Sequence, residues 1–255
     1  MKDRSPMESD MGDDAENLKW RRQQASAGGG MARLEALRAS GRGTARERID
    51  ALLDPDSFVE IDALITHRNR DNNMHMHPQF GDGVIAGHGS VDGRRVFCFS
   101  QDFTVFGGSM GEMHAKKISK VVEFADKACI PIIGIWDGDG QRAQEGVTSL
   151  GPNGDLLDNL VSCSGKVPMI SIILGTVSGT SALAAGLSDF VILGKKRGRM
   201  FMRSPYMIPE IVEGEVNEEE LGGAGHHSSR SGIACLVSED ESGAFDLVAE
   251  LLSYL

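Results

Sequence analysis

Short apolar segments alternate with glycine-containing turns and helix-forming stretches along most of this chain of 255 residues. Continuous apolar runs at 131–136 and 168–174 predict buried strands, whereas apolar residues from Ile118 to Ala125 recur at i, i+3, i+4 and i+7, which predicts a helix. Strand, turn and helix in succession favour an α/β fold. Further strands are predicted at 59–64, 84–86, 96–100 and 190–193, and further helices at 15–24, 31–39, 155–163, 182–185, 205–212 and 244–252.

The first thirty residues differ in character from the rest. Residues 1–30 are polar and charged and end in three consecutive glycines, which indicates an N-terminal arm that is mobile or docks elsewhere. Residues 31–255 are assigned to one domain. Within it, Thr44 and Glu47 form a T-x-x-E signature that predicts a capped helix start.

Composition limits the classes of partner. With 40% hydrophobic residues, the chain is long enough for one large core, and the formal charge of −11 argues against a nucleic-acid surface. The acidic N-terminal residues lack the apolar segment of a secretory signal, and no apolar run is long enough to span a membrane. A cytoplasmic protein without a membrane span is predicted.

The four cysteines, Cys98, Cys129, Cys163 and Cys235, are far apart and form no CxxC pair. This spacing favours reduced structural thiols over a redox or zinc site. The adjacent histidines His226 and His227 have no supporting carboxylate or cysteine spacing, so a structural role is preferred for them. No metal is predicted.

Three glycine-containing runs carry the candidate chemistry. SQDFTVFGGSMGEMHAKKI begins at Ser100, DGDGQRAQEGV begins at Asp137, and GTVSGTSALAAG begins at Gly175. Each passes from a strand-like segment through glycines to a helix-forming stretch, an arrangement that directs backbone N–H groups at an anion or a developing oxyanion. Periodicity alone does not separate a crotonase-like spiral from a doubly wound sheet.

Together with GDGVIAGHGSVDGR from Gly81 and TARERIDALLDPDSF from Thr44, these runs resemble the beta-type carboxyltransferase subunits of biotin-dependent acyl-CoA carboxylases and decarboxylases. The resemblance implies a single crotonase-like domain, a spiral of ββα units. It extends from about residue 28 onward and covers only the first of the two crotonase-like domains in that family. The second domain is therefore expected on a separate chain, or the sequence is part of a longer protein.

The resemblance also implies site residues. A carboxyltransferase of this kind forms an enolate, and the family motif supplies backbone amides for the thioester oxygen at positions that match Gly140 and Gln141. A second donor is expected at a helix start that matches Gly179 and Thr180. The alternative is that these glycines only satisfy turn geometry.

Two positions depart from the family pattern. The family's first turn reads like SGGAR, but Asp139 replaces a small residue here, and Thr180 replaces one of the paired glycines in the second turn. A carboxylate at Asp139 would oppose an oxyanion unless its side chain points away. These departures imply either a changed acyl substrate or weakened activity.

A third set of residues is implied for coenzyme A. The segment from Phe106 to Met110 matches one that lies against the CoA arm and acyl pocket in the family, although a tight strand-to-helix turn is the simpler interpretation. Lys116 could meet a CoA phosphate, whereas Lys117 is expected to be a solvated helical lysine. The residues assigned to CoA are Phe106, Gly107, Gly108, Ser109, Met110 and Lys116.

The preferred hypothesis is the acyl-CoA half of a biotin-dependent carboxyltransferase. The chain has no AMKM-like biotinylation segment, so biotin is expected on a separate carrier protein. Expected partners are a second crotonase-like carboxyltransferase chain, the biotin carrier, and a biotin carboxylase or decarboxylase partner in a hetero-oligomer. The alternatives are a non-catalytic crotonase-like scaffold, or the same half-reaction run as a decarboxylase; the acyl group stays open.

Overall fold

The fold is described from a computed structural model, which covers residues 6–204 and 217–255. The predicted helix at 205–212 lies outside the described residues.

Three helices precede the sheet. They are α1 (Pro6–Ser26), α2 (Met31–Ala39) and α3 (Ala45–Leu52). The predicted capping box is confirmed, because the Thr44 hydroxyl accepts from the Glu47 N–H and the Glu47 carboxylate accepts from the Thr44 N–H. Helix α1 is longer than the predicted 15–24, and just after it the Gly29 N–H donates to the Thr104 hydroxyl at 3.0 Å.

Within the described residues, seven strands form the main sheet in the order β1-β2-β3-β4-β5-β7-β9, and β6 and β8 form a two-stranded sheet. Strand β1 is shorter than the predicted 59–64, since Asp62 adopts a left-handed φ of 54° and turns the chain. The strands are β1 (Val59–Glu60), β2 (Val84–Val91), β3 (Arg94–Gln101), β4 (Ile132–Trp136), β5 (Met169–Ile173), β6 (Thr176–Ser178), β7 (Phe190–Gly194), β8 (Arg199–Phe201) and β9 (Leu236–Ser238).

Strands β2 and β3 form an antiparallel hairpin around Asp92 and Gly93, both at positive φ, as a tight hairpin turn requires. From β3 to β9 the neighbouring strands of the main sheet are parallel. The carboxyl ends of β4 and β5 therefore lie at one edge of the sheet, and the turns that follow them are brought together.

Both faces of the sheet are covered, which explains the continuous apolar runs. The remaining helices are α4 (Glu112–Ala128), α5 (Val147–Cys163), α6 (Gly179–Gly186), α7 (Glu218–Gly222), α8 (Ala224–His226) and α9 (Glu241–Tyr254). Residues Ile132 and Trp136 pack in the core with α4 and α5, whereas Ile133 and Ile135 pack with α3 and α9. Among the described helices, none is long and apolar enough to cross a membrane.

Helix α5 begins at Val147, earlier than the predicted start at residue 155. Gly151, Pro152 and Gly154 interrupt the sequence pattern there. The buried positions Ser149, Asn153 and Leu156 nevertheless continue at helical spacing, so packing outweighs the local preference for a break.

Candidate functional site

The turn after β4 touches the start of α6. A Cβ atom added to Gly140 would lie 2.7 Å from the carbonyl oxygen of Ser178 and 2.9 Å from the amide nitrogen of Thr180. No side chain fits between these two segments without displacing backbone. The two candidate turns of the sequence, Gly140–Gln141 and Gly179–Thr180, therefore meet at one place, which we call the junction.

Backbone amides at the junction are available for a ligand. The Gly140 carbonyl accepts from the Met110 N–H at 2.8 Å, and the Arg142 N–H donates to the Met110 carbonyl at 2.9 Å. Within the described residues, the N–H groups of Gly140 and Gln141 donate to no protein acceptor. The Gln141 side chain turns aside and donates to the Gly146 carbonyl and the Ser149 hydroxyl, each at 2.8 Å.

The start of α6 supplies the second set of amides. Gly179 begins this helix with a φ of 55°, a left-handed conformation that suits glycine. The preceding Ser178 makes no side-chain cap hydrogen bond. The first N–H groups of a helix have no intrahelical acceptor, and the positive end of the helix dipole coincides with them.

Asp137 fixes the first end of the Gly140 turn. Its buried carboxylate accepts from Arg48 Nη1 at 2.6 Å and also pairs with Arg42, and Arg48 in turn pairs with Glu241 of α9. Burial of the Arg48 guanidinium opposes its charge, but the attraction of Asp137 and Glu241 is larger and raises the pKa of Arg48. The two partners thus stabilise each other inside the protein.

Arg142 fixes the other end of the turn. Its guanidinium is fully buried and donates from Nη1 to Asp82 at 2.6 Å and to Glu145 at 2.7 Å. The same group contacts the ring of Phe106, with 4.6 Å between Cζ and the ring centroid, and donates to the Ser109 carbonyl at 2.9 Å. The Gly140 turn is therefore held between two buried ion clusters.

Gln101 and His114 connect the clusters. The side-chain oxygen of Gln101 accepts from the Asp137 N–H at 3.0 Å, and its amide nitrogen lies 3.4 Å from Nε2 of His114. The other imidazole nitrogen lies 3.0 Å from the Asp82 carbonyl. Burial, with the nearby Arg142 charge, holds the pKa of His114 well below its usual value, whereas burial raises the pKa of Asp82.

The segment assigned to CoA lies beside the junction. Gly108 packs against the backbone of Asp137 and Gly138, and Met110 pairs with the Gly140 turn as described above. Ser109 donates its hydroxyl to the Phe106 carbonyl. Phe106 and Gly107 line an open cavity of about 590 Å³, whose walls also include Arg33, Ala36, Leu37, Ser40, Arg42, Phe103 and Thr104.

The two lysines of α4 behave differently. Lys116 is half-exposed and pairs with Glu112, which also pairs with Arg68, and it does not line the cavity. The expectation that Lys117 is solvated was wrong, because Lys117 is buried and donates to the Val84 carbonyl at 2.8 Å. Burial lowers its pKa, opposed in part by Glu60.

Asp139, which the resemblance singles out as a predicted departure, is exposed at the junction. Its Oδ1 atom accepts from the Ser178 hydroxyl at 3.2 Å. The carboxylate therefore joins the first turn to the residue that precedes α6. Thr180, the second predicted departure, is partly exposed at the helix start.

Metal-binding groups do not gather in the described residues, where no set of three or more His, Cys, Asp or Glu side chains could hold an ion. His227 is buried, and its ring nitrogens lie 2.8 Å from the Met200 carbonyl and the Ser231 hydroxyl, which gives it a structural role. All four cysteines are free thiols.

Several candidate residues have no signal in the linear pattern. Arg33, Arg42 and Phe103 come from different segments and meet only at the cavity, where the Arg42 guanidinium lies 4.2 Å from the Phe103 ring centroid. The buried partners Arg48 and Asp137 are 89 residues apart. The sequence contains one indication of a buried ion pair, because Asp137 is a charged residue at the end of a buried strand.

Comparison with known proteins places this arrangement in a family. Residues 36–255 match the carboxyl transferase domain. The chain is 49% identical over 222 residues to the biotin-dependent acetyl-/propionyl-coenzyme A carboxylase beta5 subunit of Mycobacterium tuberculosis, covering 87% of this chain and 40% of that protein. It is 41% identical over 240 residues to the methylmalonyl-CoA decarboxylase subunit alpha of Propionigenium modestum, covering 94% of this chain and 46% of that protein.

A solved structure agrees with these relatives. The transcarboxylase 12S structure with methylmalonyl-coenzyme A and methylmalonic acid bound superposes with a TM-score of 0.91 at 40% identity, covering 96% of this chain and 48% of that chain. The chain thus spans about half the length of the relatives it matches, and the predicted crotonase-like α/β fold is confirmed. The chain belongs to the carboxyl transferase domain family.

Proposed function

We propose that this chain is the acyl-CoA-binding half of a biotin-dependent carboxyltransferase, in which the junction binds the thioester. The contact between Gly140 and Thr180 supports this proposal most directly. It sets unpaired amides of one turn beside the first amides of α6, and such donors stabilise the oxygen of an enolate as its charge develops.

The cavity beside the junction suits the rest of coenzyme A. Arg33 donates to the Thr104 carbonyl, and within the described salt bridges no carboxylate pairs with it, so its charge is free for a phosphate. Phe103 offers an exposed ring to an adenine or a pantetheine arm. Gly107 lines the cavity and Gly108 packs against the Gly140 turn, so an arm lying along this segment would lead to the junction.

In this proposal the chain's own groups bind the thioester, orient it and hold its oxygen. Carboxybiotin on a separate carrier supplies the carboxyl group. Asp139 and Thr180 are at least partly exposed at the junction, which fits the approach of such a ring from solvent. The sense of the reaction, carboxylation or decarboxylation, is set by the other subunits.

A partner chain is part of the proposal. Helices α5 and α6 contact each other and expose large apolar side chains, namely Val147, Leu150, Val161, Leu183 and Leu187. A second crotonase-like chain that covers these side chains would complete the site in a hetero-oligomer. Mass spectrometry of proteins that co-purify with the chain, together with streptavidin detection of a biotinylated carrier, tests this part.

Calorimetry tests the binding proposal directly. Propionyl-CoA titrated into the full chain should bind saturably, and Arg33→Met should weaken binding about tenfold because a charge-assisted contact to phosphate is lost. Arg38→Met, on the same helix but outside the cavity, serves as the control. Absence of acyl-CoA binding to the intact complex would contradict the proposal and favour the alternative of a non-catalytic scaffold.

A further inference from the structure

Gln101 continues the hydrogen bonding of the sheet at the point where the Gly140 turn begins. The parallel pairing of β3 with β4 ends at Ser100 and Ile135, and β3 itself ends at Gln101. The N–H of Asp137, just beyond β4, donates to the side-chain oxygen of Gln101 at 3.0 Å. A side chain therefore supplies an acceptor to the chain leaving β4 after the pairing of the two strands has ended.

Neighbouring groups fix the amide of Gln101 in turn. The side chains of Gln101 and His114 are fully buried, and the Gln101 amide nitrogen lies 3.4 Å from Nε2 of His114. Nδ1 of the same ring lies 3.0 Å from the carbonyl of Asp82, whose carboxylate accepts from Arg142 at 2.6 Å. Because Asp137 precedes the turn and Arg142 follows it, this series of contacts joins the two ends of the turn.

The amides that are proposed to hold the thioester oxygen lie between these two ends. They belong to Gly140 and Gln141, and within the described residues their N–H groups donate to no protein acceptor. Oxyanion donors act because they are preorganised, and a misplacement of about 1 Å can reduce a rate about 10²-fold. A shift at Asp137 would be carried into the turn and would move these donors.

We propose that Gln101 is a positioning residue of the junction, which holds the Asp137 N–H and thereby sets the place of the Gly140 and Gln141 amides. The inference rests on the proposed function, since it assumes that these amides bind the thioester oxygen. Gln101 is fully buried and acts through Asp137 without touching the acyl-CoA. Its loss should therefore lower kcat more than acyl-CoA affinity.

Two substitutions isolate the acceptor. Gln101→Met has a similar length and volume but offers no oxygen to the Asp137 N–H. Gln101→Glu keeps an oxygen there, and its second oxygen favours a protonated His114 that donates from both ring nitrogens. Ser119→Ala is the matched control, because it removes a buried hydroxyl that accepts from Asn159 and so breaks a hydrogen bond between α4 and α5.

Carboxyl transfer by the complete complex, with propionyl-CoA as the probe, tests the effect on turnover. Gln101→Met should reduce kcat about tenfold, in line with the loss of one hydrogen bond, while the Kd for propionyl-CoA changes less than about twofold. Gln101→Glu should recover most of the rate. Ser119→Ala should keep the native kcat, and urea unfolding checks that each variant is folded.

Hydrogen exchange followed by mass spectrometry reports on the turn without any need for turnover. Peptides that cover residues 137–142 should exchange faster in Gln101→Met than in the native chain, because the Asp137 N–H has lost its acceptor. The same peptides should exchange at the native rate in Ser119→Ala.

The outcomes separate the inference from the proposed function. Native kcat or native exchange in Gln101→Met, or a Gln101→Glu variant as slow as Gln101→Met, would overturn the role of Gln101 and leave the proposed function intact. Equal losses of kcat and of propionyl-CoA affinity would indicate a general structural role and would also overturn the inference. If the native complex transfers no carboxyl group with acetyl-CoA, propionyl-CoA or their carboxylated forms, the proposed function and the inference both fail.

Discussion

The side-chain amide of Gln101 faces Nε2 of His114 at 3.4 Å. Because the Gln101 oxygen already accepts from the Asp137 N–H, the group directed at His114 is the NH₂ donor. His114 must therefore accept at Nε2 and donate from Nδ1 to the Asp82 carbonyl. A second proton on the ring would set two donors against each other, so this geometry requires a neutral imidazole.

His114 should make stability depend on pH. Its pKa in the folded state is below that of an unfolded histidine, so the unfolded chain takes up the proton first. The stability it contributes is complete above about pH 6.5 and is lost as the pH falls below that value. Urea unfolding between pH 8 and 5 should show this loss in the native protein and a smaller slope in His114→Gln.

The exposed His88 provides the control for that series. His88→Gln should keep the native slope, and the carboxylates common to all three proteins cancel in the comparison. If the free energy of unfolding has the same pH dependence in the native protein and in His114→Gln, protonation of His114 does not destabilise the fold and the prediction is wrong.

Removal of Arg48 should strongly destabilise the fold. Arg48→Met leaves the fully buried Asp137 with Arg42 alone, and breaking a buried pair costs about 3–5 kcal/mol. Arg38→Met breaks the exposed pair with Glu47 and should cost less than about 1 kcal/mol. Urea unfolding measures both, and equal losses would show that burial of the Arg48 pair is unimportant.

Gly140→Ala should slow turnover more than it weakens acyl-CoA binding. Gly140 is not among the glycines with positive φ, and an added Cβ would push Ser178 and Thr180 away. Loss of one oxyanion donor reduces kcat about 10²–10³-fold. Carboxyl transfer by the complete complex, compared with the Kd for propionyl-CoA, separates the two effects.

Gly154→Ala is the matched control for this change. Gly154 lies in α5 with open space around it, so alanine there should leave turnover unchanged and raise stability by about 0.5–1 kcal/mol. Native turnover in Gly140→Ala would remove the junction from the catalytic proposal.

Thiol labelling should divide the cysteines into two pairs. Burial raises the pKa of Cys98 to about 12 and also raises that of Cys163, whereas Cys129 and Cys235 are exposed. Because the thiolate is the reactive form, iodoacetamide should modify Cys129 and Cys235 in the native protein and all four in urea. Mass spectrometry of the labelled peptides identifies the sites, and fast native labelling of Cys98 would contradict its burial.

The elements with strong periodicity were predictable, and those that depend on long-range packing were not. The apolar run of β4, the stripe of α4 and the Thr44 capping box follow from residues close in sequence, and all three are confirmed. The first half of α5 was missed because its glycines and Pro152 suggest a break, while contacts with α4 stabilise the helix.

Prediction of the candidate site divides in the same way. The glycine turns could be named from the sequence, and in the structure Gly140 lies against Thr180, while their role as oxyanion donors stays a prediction. The charged residues around these turns could not be named from the sequence, because Arg142, Asp82 and His114 become neighbours only when the sheet forms. The sequence predicts an ordinary solvated lysine at position 117, and its burial follows only from the packing of α4 against β2.

The pair between Arg48 and Glu241 has a consequence for biosynthesis. These residues are 193 positions apart. Arg48 can therefore pair with Glu241 as well as with Asp137 only after α9 has left the ribosome. Contacts of such long range form late and slow the folding of a domain. The turn at Gly140 therefore gains its final support only after nearly all of the described chain has been synthesised, which links completion of the domain to readiness of the junction.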